Sequence, residues 1–414
     1  MSAAEMDAAV DATLREQAAA LDAADALAPL REEFQPAPGV IAYLDGNSLG
    51  RPLRDTGARL ADFVADDWGT RLIRSWDEQW MQRPIELGDR IGALTLGAAA
   101  GQTVVADSTT VMLYKLVRAG LAARPGRDEI AVESTNFPTD RFVIEGVAAE
   151  RGATVRWIDA DPIDGVTADA VAAVLSERTA LVVLSHVDFR SAAIADMAGI
   201  TELVHAAGAL VLWDLCHSVG AVPVELDACG VDLAVGCTYK YLNGGPGAPA
   251  FGYVAQRHLG VLRQPIQGWM GAADVFAMGP SYAPAGDIRQ FISGTPPIVG
   301  MIAMAGMLDL IERAGMASIR AKSVRLGEFV IDAAERVLAP WSPAMLSPRD
   351  PQRRGGHVTF GHPGFRAATA ALWERGVIPD FRPPQGLRLG LSPLSTSFAE
   401  VAEGVLAIRD ALQD

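Results

Sequence analysis

Between about residue 100 and residue 260, short apolar runs alternate with helical patterns, and this alternation limits the possible folds more than any other feature of the chain. The runs are Glu129–Glu133, Val155–Ile158, Ala180–Ser185, Ala209–Trp213 and Leu233–Cys237, and amphipathic stretches such as Asp169–Leu175 and Met197–Ala207 lie between them. Strands separated by helices need crossover connections, so a mostly parallel α/β sheet is predicted. The runs are continuously apolar rather than alternating, which fits strands covered on both faces.

The pattern changes after Pro296-Pro297. A long helix is expected from there to Ala314, then a helix over 317–338, a strand near 356–360, a helix over 364–376 and a strand near 386–391. That reads as a smaller α+β domain. The 414 residues therefore divide into an N-terminal helical segment (1–40), a large domain (41–296) and a small C-terminal domain (297–414). The first segment is free to pack on either domain.

Charge and cysteine usage remove several function classes. A formal net charge of -15 argues against a nucleic-acid partner, which needs clustered Lys and Arg. Cys216, Cys229 and Cys237 are odd in number and lack CxxC spacing, so neither a disulfide framework nor a metal site is expected. Glu5, Asp7, Asp11, Arg15 and Glu16 interrupt the alanine-rich start, which lacks the apolar run of a secretory segment. No window reaches the roughly 18 apolar residues of a membrane span. A cytoplasmic protein without a membrane partner is the expectation.

In open α/β sheets, ligands bind beyond the carboxyl ends of the strands. Asp214 follows the run ending at Trp213, and Thr238-Tyr239-Lys240 follows the run ending at Cys237. An Asp and a Lys at successive strand ends suit pyridoxal 5′-phosphate (PLP). The lysine forms a Schiff base with the cofactor aldehyde, and the carboxylate keeps the pyridine nitrogen protonated. The plainer alternative is a solvated lysine and a helix cap. Lys240 precedes a turn rich in glycine, Asn243-Gly-Gly-Pro-Gly247, which permits close backbone approach. Asp107-Ser-Thr-Thr110 precedes the amphipathic stretch Val111–Ala122 and marks a helix start suited to a phosphate, or a plain N-cap.

Several segments together resemble kynureninase, a PLP enzyme of tryptophan catabolism. They are Tyr43-Leu-Asp-Gly-Asn-Ser-Leu-Gly50, Ser108-Thr-Thr110, Phe137-Pro-Thr-Asp140, Trp213-Asp-Leu-Cys-His-Ser-Val-Gly220, Tyr239-Lys-Tyr-Leu-Asn243, Gly268-Trp269, Gly294-Thr-Pro-Pro297 and Gly386-Leu-Arg-Leu389. The resemblance runs from about residue 40 to the C-terminus. It implies the fold type I, PLP-dependent transferase-like architecture and hydrolysis of L-kynurenine to anthranilate and L-alanine, with weaker action on 3-hydroxykynurenine. The product serves tryptophan breakdown or NAD biosynthesis.

The resemblance also implies roles. Thr109 and Thr110 hold the cofactor phosphate. Phe137 stacks on the ring, with Thr139 and Asp140 nearby. Asp214 pairs with the pyridinium beside Ser185 and His217. Lys240 and Tyr239 carry the proton transfers, and Tyr239 also touches the phosphate. Trp269 and Thr295 reach the site of a partner subunit, which implies a homodimer. Arg388, helped by Ser48, grips the α-carboxylate of the amino-acid substrate. Trp76 and Thr295 stand where relatives that prefer the hydroxylated substrate carry His and Asn. Phe137 and Trp76 read equally as core, Trp269 as a packing aromatic, Thr295 as a turn residue and Arg388 as a surface ion pair. Cys216 and Ser191-Ala-Ala193 depart from the family's small or glycine-containing segments without touching an expected role. A cysteine desulfurase or another lyase of this fold is the rival enzyme. Desulfurases need a late thiolate, and no cysteine follows Cys237. An inactive PLP-fold binding protein is the non-enzymatic rival, which the joint presence of Lys240, Asp214 and Arg388 opposes.

Overall fold

The computed structural model describes residues 3–413. Its main sheet has seven strands: β1 (Thr103–Ala106), β2 (Glu129–Glu133), β3 (Thr154–Ile158), β4 (Thr179–Ser185), β5 (Leu210–Asp214), β6 (Leu233–Gly236) and β7 (Ala250–Val254). Their order is β1-β7-β6-β5-β4-β2-β3, and only β7 runs against the rest. Crossovers include α1 (Thr109–Ala122), α2 (Pro138–Arg151) and α3 (Met197–Ala206). The fold type I arrangement read from the sequence is thus present.

The central strands β2, β4, β5 and β6 are buried along their whole length, which explains their unbroken apolar runs. At β3 the expectation of two covered faces is corrected. It is an edge strand with Thr154, Arg156 and Trp157 exposed. A charged residue in the middle of a strand is a common mark of an edge.

A second sheet has the order β10-β11-β9-β8, from β8 (Ala344–Met345), β9 (His357–Gly361), β10 (Asp380–Arg382) and β11 (Gly386–Gly390), all antiparallel. Val358, Phe360, Leu387 and Leu389 turn one face into a core shared with α5 (Met316–Val337) and the C-terminal helix α6 (Phe398–Gln413). The N-terminal helix Ala3–Ala23 joins this core through Leu14 and Ala18, and it pairs with α6 through Arg15–Glu403 and Arg409–Asp11. The helix α4 (Ile298–Ala314) instead buries Met301, Met304, Met307, Leu308 and Ile311 in the core of the large sheet. We therefore propose that the small domain begins at Gly315 rather than at residue 297. No helix among the described residues is long and apolar enough to cross a membrane.

Asp232 anchors the foot of β6, the strand that leads to Lys240. Its carboxylate accepts from Val211 N–H at 2.9 Å, His205 Nε2 at 2.8 Å, His258 Nε2 at 2.7 Å and Arg257 Nη2 at 2.6 Å. Burial alone would raise its pKa, but the hydrogen bonds from His258, Val211 N–H and His205 override that and hold it well below the ordinary carboxylate range. A carboxyl depressed in the folded state adds stability above its unfolded pKa of about 4, and this is lost as pH falls below it. Asp232→Ala is expected to cost about 1–3 kcal/mol at pH 7, chiefly by orphaning the Val211 amide. Urea unfolding should show that gap shrinking below about pH 4; a pH-independent gap would reject this origin.

Candidate active site

The carboxyl ends of β2, β4, β5 and β6 and the start of α1 surround a recess with about 530 Å³ of empty volume. Thr109, Thr110, Phe137, Thr139, Asp140, Ser185, Asp214, His217, Tyr239 and Lys240 line it, so ten of the residues chosen from the sequence come together. Val187, Phe189 and Cys216 also line it and were missed. The signal for Phe189 was available, since it belongs to the loop directly after β4. Cys216 does touch an expected role: its backbone N–H donates to Asp214 Oδ1 at 2.6 Å.

Lys240 is held by a lock between two distant segments. Gly50 N–H donates to Tyr239 O at 2.9 Å, and Asn243 Nδ2 donates to Arg51 O at 2.7 Å. A Cβ on Gly50 would lie 2.3 Å from Lys240 O, so only glycine permits this approach. Lys240 Nζ lies 3.0 Å from His217 Nε2. Burial, and then the charges of Lys240 and Arg388, keep the His217 imidazole well below its usual pKa. A neutral ring that accepts at Nε2 carries its proton on Nδ1.

The carboxyls around Asp214 are unequal. Burial, and then the charge of Asp214, pushes Asp140 well above the carboxylate range. Burial and the charges of Asp188 and Asp214 push Glu133 up to about 8, although it accepts Ser185 N–H at 2.9 Å. Both therefore hold protons at neutral pH. The phenol of Tyr239 is raised above its ordinary value, mainly by burial.

At the head of α1, Ser108 caps Val111 N–H, and Thr109 and Thr110 of the first turn line the recess, where a helix start favours an anion. Lys115 is fully buried and donates to Asp107 and to Phe291 O, which fixes this helix start.

Arg388 lies in β11 beside the recess and is 1% exposed, so it is no surface ion pair. Its Nη1 donates to Phe189 O at 2.6 Å, and its Nη2 meets Ser48 Oγ at 2.7 Å and Asp380 Oδ2 at 2.7 Å. Asn47, with its amide turned to satisfy both ends, accepts from Nε at 3.1 Å. Trp269 is 44% exposed and Thr295 is exposed, and neither lines the recess of its own chain. Trp76 lies apart from Lys240 as well. It packs edge-on against Trp80, with ring centroids 5.1 Å apart, and shares an apolar hollow with Phe63, Trp68, Pro296 and Pro297.

Residues 319–408 match the family model described as the kynureninase C-terminal domain. The kynureninase of Pseudomonas fluorescens is 41% identical over 408 residues, which cover 97% of this chain and 96% of that protein. The chain belongs to the kynureninase family. The kynureninase of Burkholderia pseudomallei (strain 1106a) is 43% identical over 405 residues, or 96% of this chain and 95% of the relative. Among solved structures, C-DES with glycine covalently linked to its PLP cofactor aligns with a TM-score of 0.78 at 19% identity, covering 89% of this chain and 96% of that one. The cysteine desulfurase CsdA of Escherichia coli, in its S-sulfonic acid form, aligns at 0.79 with 18% identity, covering 94% and 98%. At these identities the likeness establishes the shared fold.

The kynureninase cofactor, PLP, fits the donor set. A buried amine, a carboxylate at the next strand end, a helix start for an anion and the half-exposed ring of Phe137 face one recess. Lys240→Ala is expected to abolish turnover and leave PLP bound only reversibly. Borohydride reduction followed by peptide mapping should label Lys240 in the wild type; a label on another lysine would overturn the assignment. Arg388→Lys should lower kcat/KM by about tenfold or more, because a point charge replaces a planar fork with several fixed partners. Unchanged kcat/KM would remove Arg388 from substrate binding.

Proposed function

We propose that this kynureninase-family enzyme hydrolyses L-kynurenine to anthranilate and L-alanine, with Lys240 as the reacting amine. The observation that carries the reading is the position of Lys240 Nζ, buried in the recess, 3.0 Å from a neutral acceptor and beside the Asp214 strand end. When bound, PLP supplies an aldehyde for amino groups and a ring that draws electrons from the substrate α-carbon.

Lys240 would hold the cofactor through its aldehyde, and its Nζ, once free, is the base for the substrate α-proton. His217 Nε2 orients that amine and remains neutral. Asp214 pairs with the pyridine nitrogen, and protonated Asp140 steadies Asp214 without adding negative charge. Thr109 and Thr110, with Tyr239, hold the phosphate; Phe137, Thr139 and Ser185 bound the ring. Water adds to the γ-carbonyl carbon, the Cβ–Cγ bond breaks to release anthranilate, and Tyr239, whose burial keeps its phenol protonated, gives a proton to the alanine β-carbon. Arg388 and Ser48 take the substrate carboxylate.

A homodimer completes the site, with Trp269 and Thr295 contributed by the other subunit. Exposed Trp68, Ile73, Met278 and Val299 support an apolar interface near these residues. The enzyme acts in the cytoplasm.

Purified protein mixed with kynurenine should develop anthranilate fluorescence, and none would sink the reading. Kynurenine should also be preferred to 3-hydroxykynurenine. Trp76 shares its hollow with Pro296 and Pro297, next to Thr295, and would reach the site with Thr295 from the other subunit. It offers one N–H and an apolar face, so a buried ring hydroxyl lacks partners there at a cost of about 1–3 kcal/mol, or roughly tenfold to hundredfold in kcat/KM. Equal values for the two substrates would reject the role of Trp76 and Thr295, while a Trp76→His, Thr295→Asn double variant should narrow the gap.

A further inference from the structure

The small sheet has one apolar and one polar face, and both are buried. Along β9, Val358 and Phe360 enter the small-domain core, while His357 and Thr359 turn the other way. In β11, Arg388 stands opposite Thr359 in register, and His357 stands opposite Gly390. The polar face is pressed on the recess from behind. Thr359 Oγ1 donates to Arg190 O, Arg388 reaches Phe189 O, and the His357 ring meets the His217 ring edge to face with centroids 5.5 Å apart. Thr359 and Arg388 have firm hydrogen bonds; His357 has only the influence of the Arg190 carbonyl, which opposes the lowering of its pKa.

His357 is 1% exposed, and neither of its ring nitrogens has a hydrogen-bond partner among the described residues. The same is true of His217 Nδ1. Buried polar atoms without partners are rare, and three of them on two touching rings call for one explanation. Lys240 Nζ lies 3.0 Å from Nε2, placed to donate to it, and a ring that accepts there carries its proton on Nδ1. The imidazole packed against that ring is His357. Burial, with the charges of Arg388, Lys240 and Arg382, keeps His357 neutral as well, so one of its nitrogens is an acceptor. Asp380 and Asp45 oppose those cations and complete the charges nearby.

We propose that His357 is a positioning residue for proton transfer at Lys240. It takes the Nδ1–H of His217 after a small ring rotation and so secures the tautomer whose Nε2 accepts from the lysine. The small domain thereby helps to set the proton affinity of an amine held by the large one. The inference rests on Lys240 being the reacting amine. It adds a residue that acts through His217 and touches neither substrate nor cofactor.

His357→Leu keeps most of the bulk and removes the acceptor, whereas His357→Gln keeps an acceptor of similar reach. For the holoenzyme, His357→Leu should lower kcat about tenfold with KM within about twofold. The acidic limb of its kcat profile should move to lower pH, because an ammonium that loses a well-placed acceptor has a lower pKa. His357→Gln should stay within about threefold of wild type and keep the profile. A packing role predicts equal damage from both variants, and that result, or an unchanged His357→Leu enzyme, would overturn the proposal. Wild-type protein labelled with ¹⁵N-histidine gives a readout that needs no variant to fold: His217 should be the neutral Nδ1–H tautomer from about pH 5 to 8. An Nε2–H tautomer would overturn the proposal even in an enzyme that hydrolyses kynurenine. Absence of anthranilate from the wild type would sink the activity and leave the tautomer measurement standing.

Discussion

Lys240 places a primary amine 3.0 Å from an imidazole, with both groups buried, and this contact governs the surrounding electrostatics. An unpaired buried ammonium is costly, and a neutral ring can orient it without cancelling its charge. The nearby carboxyls do not fill that role freely, because Asp140 and Glu133 are held protonated by burial and by one another's neighbours. The recess thus offers a cation, a carboxylate strand end and an anion-binding helix start, in an order that matches a ligand with a phosphate at one end and a basic ring nitrogen near the other.

Two of the segments that carry the family resemblance turn out to be one physical object. The Tyr43–Gly50 segment and the Tyr239–Asn243 turn lie far apart in sequence, yet Gly50 N–H meets Tyr239 O and Gly50 has no room for a side chain over Lys240 O. Ser48, from the same segment, reaches Arg388 in the small sheet. One short stretch therefore ties the lysine turn to the arginine strand, and their co-occurrence follows from contact.

The sheet was legible where burial was complete. Leu210–Asp214 and Leu233–Gly236 are covered on both faces, so their hydrophobicity is continuous and the residues after them could be picked out as site candidates. Thr103–Ala106 and Ala250–Val254 are less legible because glycine or proline lies just before each and blurs the start of its apolar run. The apolar pattern of α4 does not say which core it enters, and only the structure shows it packed against the large sheet. His357 and Asp380 left no local trace. Each acts through a partner more than a hundred residues away or across a strand pair, and only the register of β9, β10 and β11 puts them beside His217 and Arg388.

If Arg388 takes the substrate carboxylate as proposed, its surroundings spare a large desolvation cost. Its guanidinium is already out of water and oriented by Phe189 O, Ser48, Asn47 and Asp380. A substrate carboxylate arriving at this group must displace or share the place of Asp380, so it exchanges one anion for another and does not bring together two solvated charges. Asp380 is not left bare, since Arg382 Nε donates to it at 2.6 Å and can retain it. The exchange conserves the local charge count and lets preorganisation, rather than raw Coulomb attraction, decide which carboxylates are accepted. Asp45 lies 3.7 Å from the same Arg388 Nη2. Burial pushes its pKa up to about 6, so near neutrality it sits closer to losing its charge than an ordinary carboxylate, which limits its competition for the same guanidinium.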